Sequence, residues 1–451
     1  MVHCIIPYSR IWCKVLELLK DALVFWNPWW QNSKEMFKHL KDRKALEKIK
    51  PLFFRKEITA ITGVRRAGKT SLMHLLIQDI LKSQKPETVM YVNLDDPSFK
   101  GANMDQIYEA YKELMPFQGM SNLFLDEVQT IDDWERWVKK SYDSFQNIKI
   151  VISGSNSSLL QTEYSTYLVG RSLSYELFPL SFLEYLQFKG VEIKTETDLI
   201  ANKSLIKNLL GKYLKYGGFP EVAMEDNPTM KYTILKEYFN AILSRDVIAR
   251  YEIRERKKMG RLGVYLLTNI ANMLSAKSLG NTMDLNIHTV QEYLDDLEEA
   301  YLVFFVNHFS YSLKSQYTYP RKVYCVDPGI RSALSFSFSP DIGRLLENIV
   351  FLILRNMGDV YYWKDGKTDI DFIVKQGEKV TSLIQVCYSI DDPKTKKREE
   401  RSLLKTMAHF DLLQGTIITW DHEETIKMNE GIIEYRPIWK WVFNESLDVN
   451  H

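Results

Sequence analysis

The sequence predicts an α/β fold built on a three-layer core with a largely parallel sheet, and three stretches carry that expectation. The first is Glu57-Ile-Thr-Ala-Ile-Thr62, a β-branched apolar run, followed by Gly63-Val-Arg-Arg-Ala-Gly-Lys69-Thr70 and then by Ser71 to Leu81. Leu72, Leu75, Leu76 and Ile80 recur in that last part at helical spacing, so the order is strand, glycine loop, helix. The second is Asn122-Leu-Phe-Leu-Asp126-Glu127, an apolar strand that ends in two carboxylates. The third is Ile148-Lys-Ile-Val-Ile-Ser153, which runs into Gly154-Ser155-Asn156-Ser157.

The glycine loop matches G-x-x-x-x-G-K-[ST] without a gap. In that setting backbone N–H groups and a helix N-terminus converge on an anion. Gly63, Val64, Arg65, Arg66, Ala67, Gly68, Lys69, Thr70 and Ser71 are therefore candidate contacts for a nucleoside triphosphate. Gly63 and Gly68 allow backbone angles that a Cβ would block. Lys69 would bring its charge to the β- and γ-phosphates, and the Thr70 hydroxyl would hold Mg²⁺. Asp126 would hold Mg²⁺ through water, and Glu127 would orient or deprotonate the attacking water. Asn156 and Ser155 have two roles open: sensing the γ-phosphate, or capping a helix from Ser158 onward. Arg171, after Gly170, is either an arginine finger or a surface ion-pair partner.

The order of motifs resembles prokaryotic, especially archaeal, AAA-type P-loop ATPases that carry a C-terminal nuclease-like domain of unknown function. Besides the loop and Leu123-Phe-Leu-Asp-Glu-Val-Gln129, the residues that carry the likeness are Asn27-Pro-Trp-Trp30, Ser153-Gly-Ser-Asn156 and Leu168-Val-Gly-Arg171. Phe178-Pro-Leu-Ser-Phe-Leu-Glu184, Tyr216-Gly-Gly-Phe-Pro-Glu221, Val323-Tyr-Cys-Val-Asp-Pro-Gly329, Leu346-Glu347-Asn348 and Asp369-Ile-Asp-Phe372 continue it. The resemblance implies ATP as the nucleotide, hydrolysis, and Arg171 placed to sense or catalyse at the γ-phosphate, in cis or in trans. A trans role would need a homo-oligomer.

Composition fits this frame: 45% apolar and 26% charged residues are ordinary for globular chains. A formal net charge of +1 gives no bulk attraction to nucleic acid or membrane, so any such contact needs a local patch. Cys4, Cys13, Cys325 and Cys387 are scattered without a C-x-x-C pair, which suggests neither zinc nor a disulfide framework. Arg10, Lys14, Glu17, Lys20 and Asp21 interrupt the aromatic N-terminal stretch, so neither a signal peptide nor a spanning helix is expected. The expected address is the cytoplasm, with no membrane partner.

The chain divides into five parts. Residues 1–50 read as a helical arm, with Glu35-Met-Phe-Lys-His-Leu-Lys41 a short amphipathic helix, packing on the core or on a neighbouring subunit. Residues 51–185 form the ATPase core, and 186–254 a helical lid in which Gly217 to Pro220 is a turn. Residues 255–322 suggest a winged helix: Ser278 to Met283, a turn at Asp284 to Asn286, then Ile287 to Leu302 with Val290, Leu294, Leu297 and Tyr301 inward. Glu292, Asp295, Asp296, Glu298 and Glu299 would then line the outer face and oppose DNA. His288, Thr289 and Gln291 remain for base contacts, and Lys314, Arg321 and Lys322 form a basic wing for a nucleic-acid backbone. A structural or protein-contact role is the favoured alternative.

Residues 323–451 resemble a restriction-endonuclease-like α/β domain of the PD-(D/E)xK type, with Glu347 on a helix, Asp371 on one strand and Gln385 on the next. Gln385 replaces a carboxylate and Cys387 replaces the lysine, so the site reads as degenerate. Lys364, Lys367 and Lys375 are candidate substitutes for that lysine. The run Lys394 to Arg401 is either a phosphate contact or a solvated helix start. Three functions stand at this point: an ATP-driven conformational switch, an ATP-gated nucleic-acid-binding protein or nuclease acting on DNA or RNA, and a nucleotide-holding adaptor for a protein target.

Overall fold

The computed structural model describes residues 8–32, 35–144, 147–157, 165–335 and 342–448, and divides into two units that part between Phe178 and Pro179. Cys4, Ser158 and the segment after it up to 164 lie outside the described residues.

The first unit contains α1 (Tyr8–Trp26), α2 (Ala45–Phe53), β1 (Ile58–Thr62), α3 (Lys69–Ile80), β2 (Val89–Asn93) and α4 (Met104–Leu114). It continues with β3 (Ser121–Asp126), α5 (Trp134–Ser144), β4 (Ile148–Gly154), α6 (Ser165–Leu168) and β5 (Ser172–Glu176). The five strands form one parallel sheet in the order β2-β3-β4-β1-β5. Residues Ile58 to Thr62 and Ser121 to Asp126 are buried throughout, as strands covered on both faces must be. The expected arm packs on this core: Leu19, Ala22 and Leu23 of α1 join a cluster with Phe99, Ile107 and Trp137.

Asn27-Pro-Trp-Trp30 has a structural task. The Asn27 amide donates to Tyr91 O at 2.8 Å and accepts from Tyr91 N–H at 2.7 Å, as a neighbouring strand would. The Trp29 and Trp30 indoles donate to Val89 O and Pro86 O. Edge strand β2 is thereby covered. The amphipathic helix expected at 35–41 is a single 3-10 turn, Glu35–Phe37.

The second unit begins with α7 (Phe182–Phe188), α8 (Glu196–Ala201), α9 (Lys203–Tyr216), α10 (Pro220–Met224) and α11 (Pro228–Ala241), which runs into a π-helical stretch, Ile242–Ala249. Ser181 caps α7, and Leu180 N–H donates to Gly218 O at 2.7 Å. Next come α12 (Arg256–Thr268), β6 (Met273–Leu274), α13 (Ala276–Met283), α14 (Ile287–Glu299), β7 (Val303–Val306), α15 (Leu313–Thr318) and β8 (Arg321–Cys325). The three strands pair as β6-β8-β7, antiparallel. The turn at Asp284 to Asn286 lies where expected, but α14 stops at Glu299, before Tyr301 turns left-handed at φ 57°.

The acidic outer face needs correction. Glu292 and Asp295 are exposed, whereas Asp296, Glu298 and Glu299 are half-buried. Glu298 accepts from Phe305 N–H at 3.0 Å, and Glu299 accepts from the Tyr251 hydroxyl. Burial, reinforced by the charges of Glu299 and Asp295, pushes the Asp296 carboxyl up to about 7. The face is less anionic than five solvated carboxylates would make it.

The chain closes with α16 (Pro328–Leu334), α17 (Ile342–Leu354), β9 (Asp359–Asp365), β10 (Thr368–Gln376), β11 (Lys379–Val386), α18 (Pro393–Phe410), β12 (Gln414–Thr419), β13 (Glu424–Met428), β14 (Gly431–Pro437) and α19 (Ile438–Asp448). The six strands form a mixed sheet, β13-β14-β12-β11-β10-β9. Asp392 caps α18 by accepting from Lys394 and Thr395 N–H, so the basic run is a helix start. Two glycine motifs of the sequence interlock within this unit. Buried Asp327 accepts from Gly218 N–H at 2.6 Å and from Gly329 N–H at 2.8 Å. A Cβ at Gly217 would fall 1.8 Å from Asp327 Oδ1, and one at Gly329 would fall 2.2 Å from Tyr216 O.

Candidate functional site

The glycine loop leaves β1 at the carboxyl edge of the parallel sheet. Gly63 takes φ 138°, Arg66 φ 70° and Gly68 φ 101°, so three of its residues are left-handed. A Cβ on Gly63 would come within 2.0 Å of Leu177 O, which leaves room only for glycine. Gly68 is the N-cap of α3, and the N–H groups of that first turn have no partner within the helix. Val64 and Ala67 are fully buried, so they offer backbone alone, while Arg66, Thr70 and Ser71 are exposed.

The Lys69 ammonium is buried and donates to Gly63 O at 2.8 Å and Val64 O at 3.2 Å. The Thr70 hydroxyl donates to Asp126 Oδ2 at 2.6 Å. Tyr91 OH donates to the same oxygen at 2.8 Å, and the Ser153 hydroxyl donates to Oδ1. Glu127 turns left-handed at φ 55° directly after the strand end. Its N–H donates to Ser153 Oγ at 3.1 Å, and its carboxylate accepts from Gln129 Nε2 at 2.5 Å. His74, on α3, packs its ring 4.7 Å from Tyr91, and burial pulls its pKa down to about 4.

These residues fit a Mg²⁺-nucleotide. A hydroxyl and a carboxylate already in contact supply the hard oxygen donors that Mg²⁺ takes, beside a buried ammonium and the N-terminus of α3. Ser155 and Asn156 follow β4, whose Gly154 pairs with Thr62, so both lie at the loop's edge of the sheet and both are buried.

Arg171 sits elsewhere. Its carbonyl accepts from Ile58 N–H, which places it at the amino edge of the sheet. β1 separates it from the loop by five residues, on the order of 16 Å at strand rise. Its guanidinium meets Asp143 in an exposed bidentate pair, with Nε to Oδ1 at 2.9 Å and a second bond at 3.2 Å. A cis contact with phosphates on this chain's own loop is therefore out of reach.

Two residues of this site give no signal in the sequence, and Ser153 enters there only through the motif Ser153-Gly-Ser-Asn156. Tyr91 is an ordinary strand residue by pattern. Arg43, in the arm, donates from one nitrogen to Ala67 O at 3.0 Å and from another to Phe178 O at 3.1 Å. It joins the loop to the last residue of the first unit.

The second cluster lies in the C-terminal unit. The structure brings Glu347 of α17, Asp371 of β10 and Gln385 of β11 together, as the spacing suggested. It adds Lys322 of β8, which the sequence assigned to a basic wing: its ammonium is buried and lies 3.0 Å from Glu347 Oε1 and 2.8 Å from Asp371 Oδ1. Lys364 and Lys367 are exposed and Lys375 is half-buried. Tyr324 OH donates to Glu347 at 2.7 Å, and Val386 N–H donates to Asp371 Oδ2 at 2.9 Å. Gln385 Oε1 accepts from Asp371 N–H at 3.1 Å, and its Nε2 donates to Glu399 at 2.7 Å. Burial draws the Lys322 pKa down, but the charges of Asp371 and Glu347 override it and hold the ammonium protonated. Burial and the charge of Asp371 push Glu347 up. Cys387 is buried, with its thiol pushed up to about 11. A divalent cation does not fit here, because a fixed cation lies between the carboxylates and both ends of Gln385 are bonded.

Comparison with known proteins agrees with the first site. Residues 55–186 match the model of an AAA domain, and 207–341 match a domain of unknown function, DUF8612. The chain is 36% identical over 402 residues to the uncharacterized protein MJ1544 of Methanocaldococcus jannaschii, covering 85% of this chain and 88% of that one. It is 31% identical over 345 residues to an uncharacterized protein of Haemophilus influenzae, covering 74% and 83%. Among solved structures, the Aeropyrum pernix ORC1 protein in complex with DNA is similar at 14% identity and TM-score 0.31, covering 66% of this chain and 93% of that chain. AMPPCP-bound DnaA from Aquifex aeolicus is similar at 17% identity and TM-score 0.26, covering 57% and 86%. No helix among the described residues is long and apolar enough to cross a membrane. With a glycine loop of this geometry inside an AAA domain, and 36% identity along most of both chains, this protein belongs to the family of the Methanocaldococcus jannaschii protein and carries a P-loop ATPase domain of the AAA type.

Proposed function

We propose that the chain binds ATP with Mg²⁺, hydrolyses it, and works as a conformational switch. The observation that carries this reading is the Thr70 hydroxyl bonded to Asp126 beside the buried Lys69 ammonium, at the mouth of a left-handed glycine loop. Mg²⁺, when bound, supplies charge neutralisation across the phosphates. Lys69 exchanges carbonyl dipoles for phosphate oxygens, and the N–H groups of α3 hold the same anion. Glu127, oriented by Gln129, orients or deprotonates the attacking water. Arg171 serves the γ-phosphate of a neighbouring copy in a homo-oligomer. Asn156 and Ser155 report the γ-phosphate. Arg43 couples the loop to the chain leaving the first unit, because one guanidinium holds both carbonyls.

The test is phosphate release by wild type, Lys69→Ala and Glu127→Gln, alongside equilibrium nucleotide binding. Turnover lost in Glu127→Gln with binding retained supports the reading. Binding without turnover in wild type leaves the nucleotide-holding adaptor, and no binding at all sinks both.

For the nuclease-like C-terminal unit the favoured reading is a binding module rather than a cleaving one, since Lys322 neutralises the acidic pair. Mg²⁺- or Mn²⁺-dependent cleavage of plasmid or single-stranded DNA, lost in Asp371→Ala, would overturn it.

A further inference from the structure

The connection between β7 and β8 exposes an unusual set of rings. Tyr311 is 82% exposed, Tyr317 80% and Tyr319 48%, with Leu313 at 66% beside them. A large apolar surface in water is unfavourable, and four such residues within nine positions depart from the scattered exposure that needs no explanation. Charge is equally one-sided. From Val303 to Val326 the chain has no Asp or Glu, although it holds 58 of them in 451 residues, while Lys314 and Arg321 lie in that stretch.

The rings beneath are stacked in series. Tyr319 stacks on His308 at 4.2 Å and 14°, and His308 stacks on Trp363 at 5.4 Å and 18°. His308 Nε2 lies 3.1 Å from Lys364 O, which brings the β9–β10 turn, with exposed Lys364 and Lys367, beside the rings. The other ring nitrogen of His308, buried, has no hydrogen-bond partner.

We infer that this face binds an unpaired nucleic-acid strand, with Tyr311 and Tyr317 stacking on bases and Lys314, Lys364 and Lys367 facing the backbone. Exposed rings offer π faces to any base, and Lys314, in a connection with no carboxylate of its own, neutralises a phosphate beside the exposed Lys364 and Lys367. A duplex keeps its bases stacked on one another, so the rings have nothing to receive. A protein groove of comparable size would be served by aliphatic side chains and would not require a stretch free of carboxylates.

The test is fluorescence anisotropy of labelled oligothymidylate and oligouridylate of about twelve nucleotides with the full chain, at about 50 mM salt and without ATP. Tyr317→Ala and Tyr311→Ala each weaken binding about tenfold, while the Phe variants stay within about twofold. Lys314→Gln lowers the slope of log affinity against log salt by about 0.7. Equal affinity for both oligonucleotides marks stacking alone, and a preference identifies the natural strand; both outcomes support the inference. No binding, equal binding of a duplex, or binding unchanged by both Ala variants overturns it. Lys69→Ala binds the strands like wild type, so failure of the ATPase reading leaves this result intact.

Discussion

Two sites in this molecule use the same residue types to opposite effect. In the first unit a buried lysine donates to two carbonyls, those of Gly63 and Val64, and a strand-end aspartate, Asp126, accepts from the hydroxyls of Thr70, Tyr91 and Ser153. In the second, Lys322 is held by the carboxylates Glu347 and Asp371. A carbonyl or hydroxyl is readily exchanged for a phosphate or a metal-bound water. A buried carboxylate is not, because leaving it alone in low dielectric costs several kcal/mol. Ligand exchange therefore belongs to the first site and permanence to the second, a distinction set by the partners rather than by the lysines.

The largest expected effect tests exchange. Glu127→Gln should lower steady-state phosphate release by roughly 10²–10⁴-fold, the usual worth of a general base, with nucleotide binding unchanged. An equal loss of binding would mean that Glu127 shapes the loop instead.

Permanence is tested at Lys322. Lys322→Met strands two carboxylates and should destabilise the second unit by about 3–5 kcal/mol in urea unfolding. Glu347, already pushed up by burial and by the charge of Asp371, would lose the Lys322 charge that holds it down. A carboxyl raised in this way stabilises below the unfolded carboxylate range and loses that contribution as pH rises, so the variant should be worse at pH 8 than at pH 5. Adding Glu347→Gln and Asp371→Asn should recover much of the loss. If Lys322→Met unfolds like wild type, the comparison fails.

His74 sharpens the first site. Its folded pKa is about 4 against 6.5 unfolded, so between those values the unfolded chain binds more protons and stability falls with falling pH. That difference corresponds to about 3 kcal/mol lost from above pH 6.5 to below pH 4. His74→Phe should flatten that limb relative to wild type in acid unfolding curves. The smallest effect is Tyr91→Phe, which removes one donor from Asp126 and should lower turnover about fivefold to tenfold, about 1 kcal/mol, with the fold intact.

How far the sequence reached follows the same divide. The loop, Asp126 and Glu127 were legible because their chemistry demands fixed spacing along one segment. Glu347, Asp371 and Gln385 were legible from their places on successive elements. Lys322 was not, since it arrives from β8, ahead of the motif, and looks like any wing lysine until β8 packs on α17 and β10. Tyr91 and Arg43 escaped for a similar reason: each acts through one long-range bond with no local pattern. The outer face of α14 was misjudged because helical periodicity shows which side points away from the core, yet not that Tyr251 and the N–H of Phe305 wait there for Glu299 and Glu298.

The Asp327 clasp has a consequence in time. Gly218 and Asp327 are 109 residues apart, and the backbone of Gly218 cannot be satisfied by that carboxylate until the later segment exists. At the usual pace of protein synthesis that interval is on the order of ten seconds. The first unit, whose sheet closes with β5, is complete well before then. On a ribosome the nascent chain thus passes through a stage with a finished nucleotide loop tethered to helices still waiting for their fastening, and a chaperone would meet that stage rather than a fully unfolded chain.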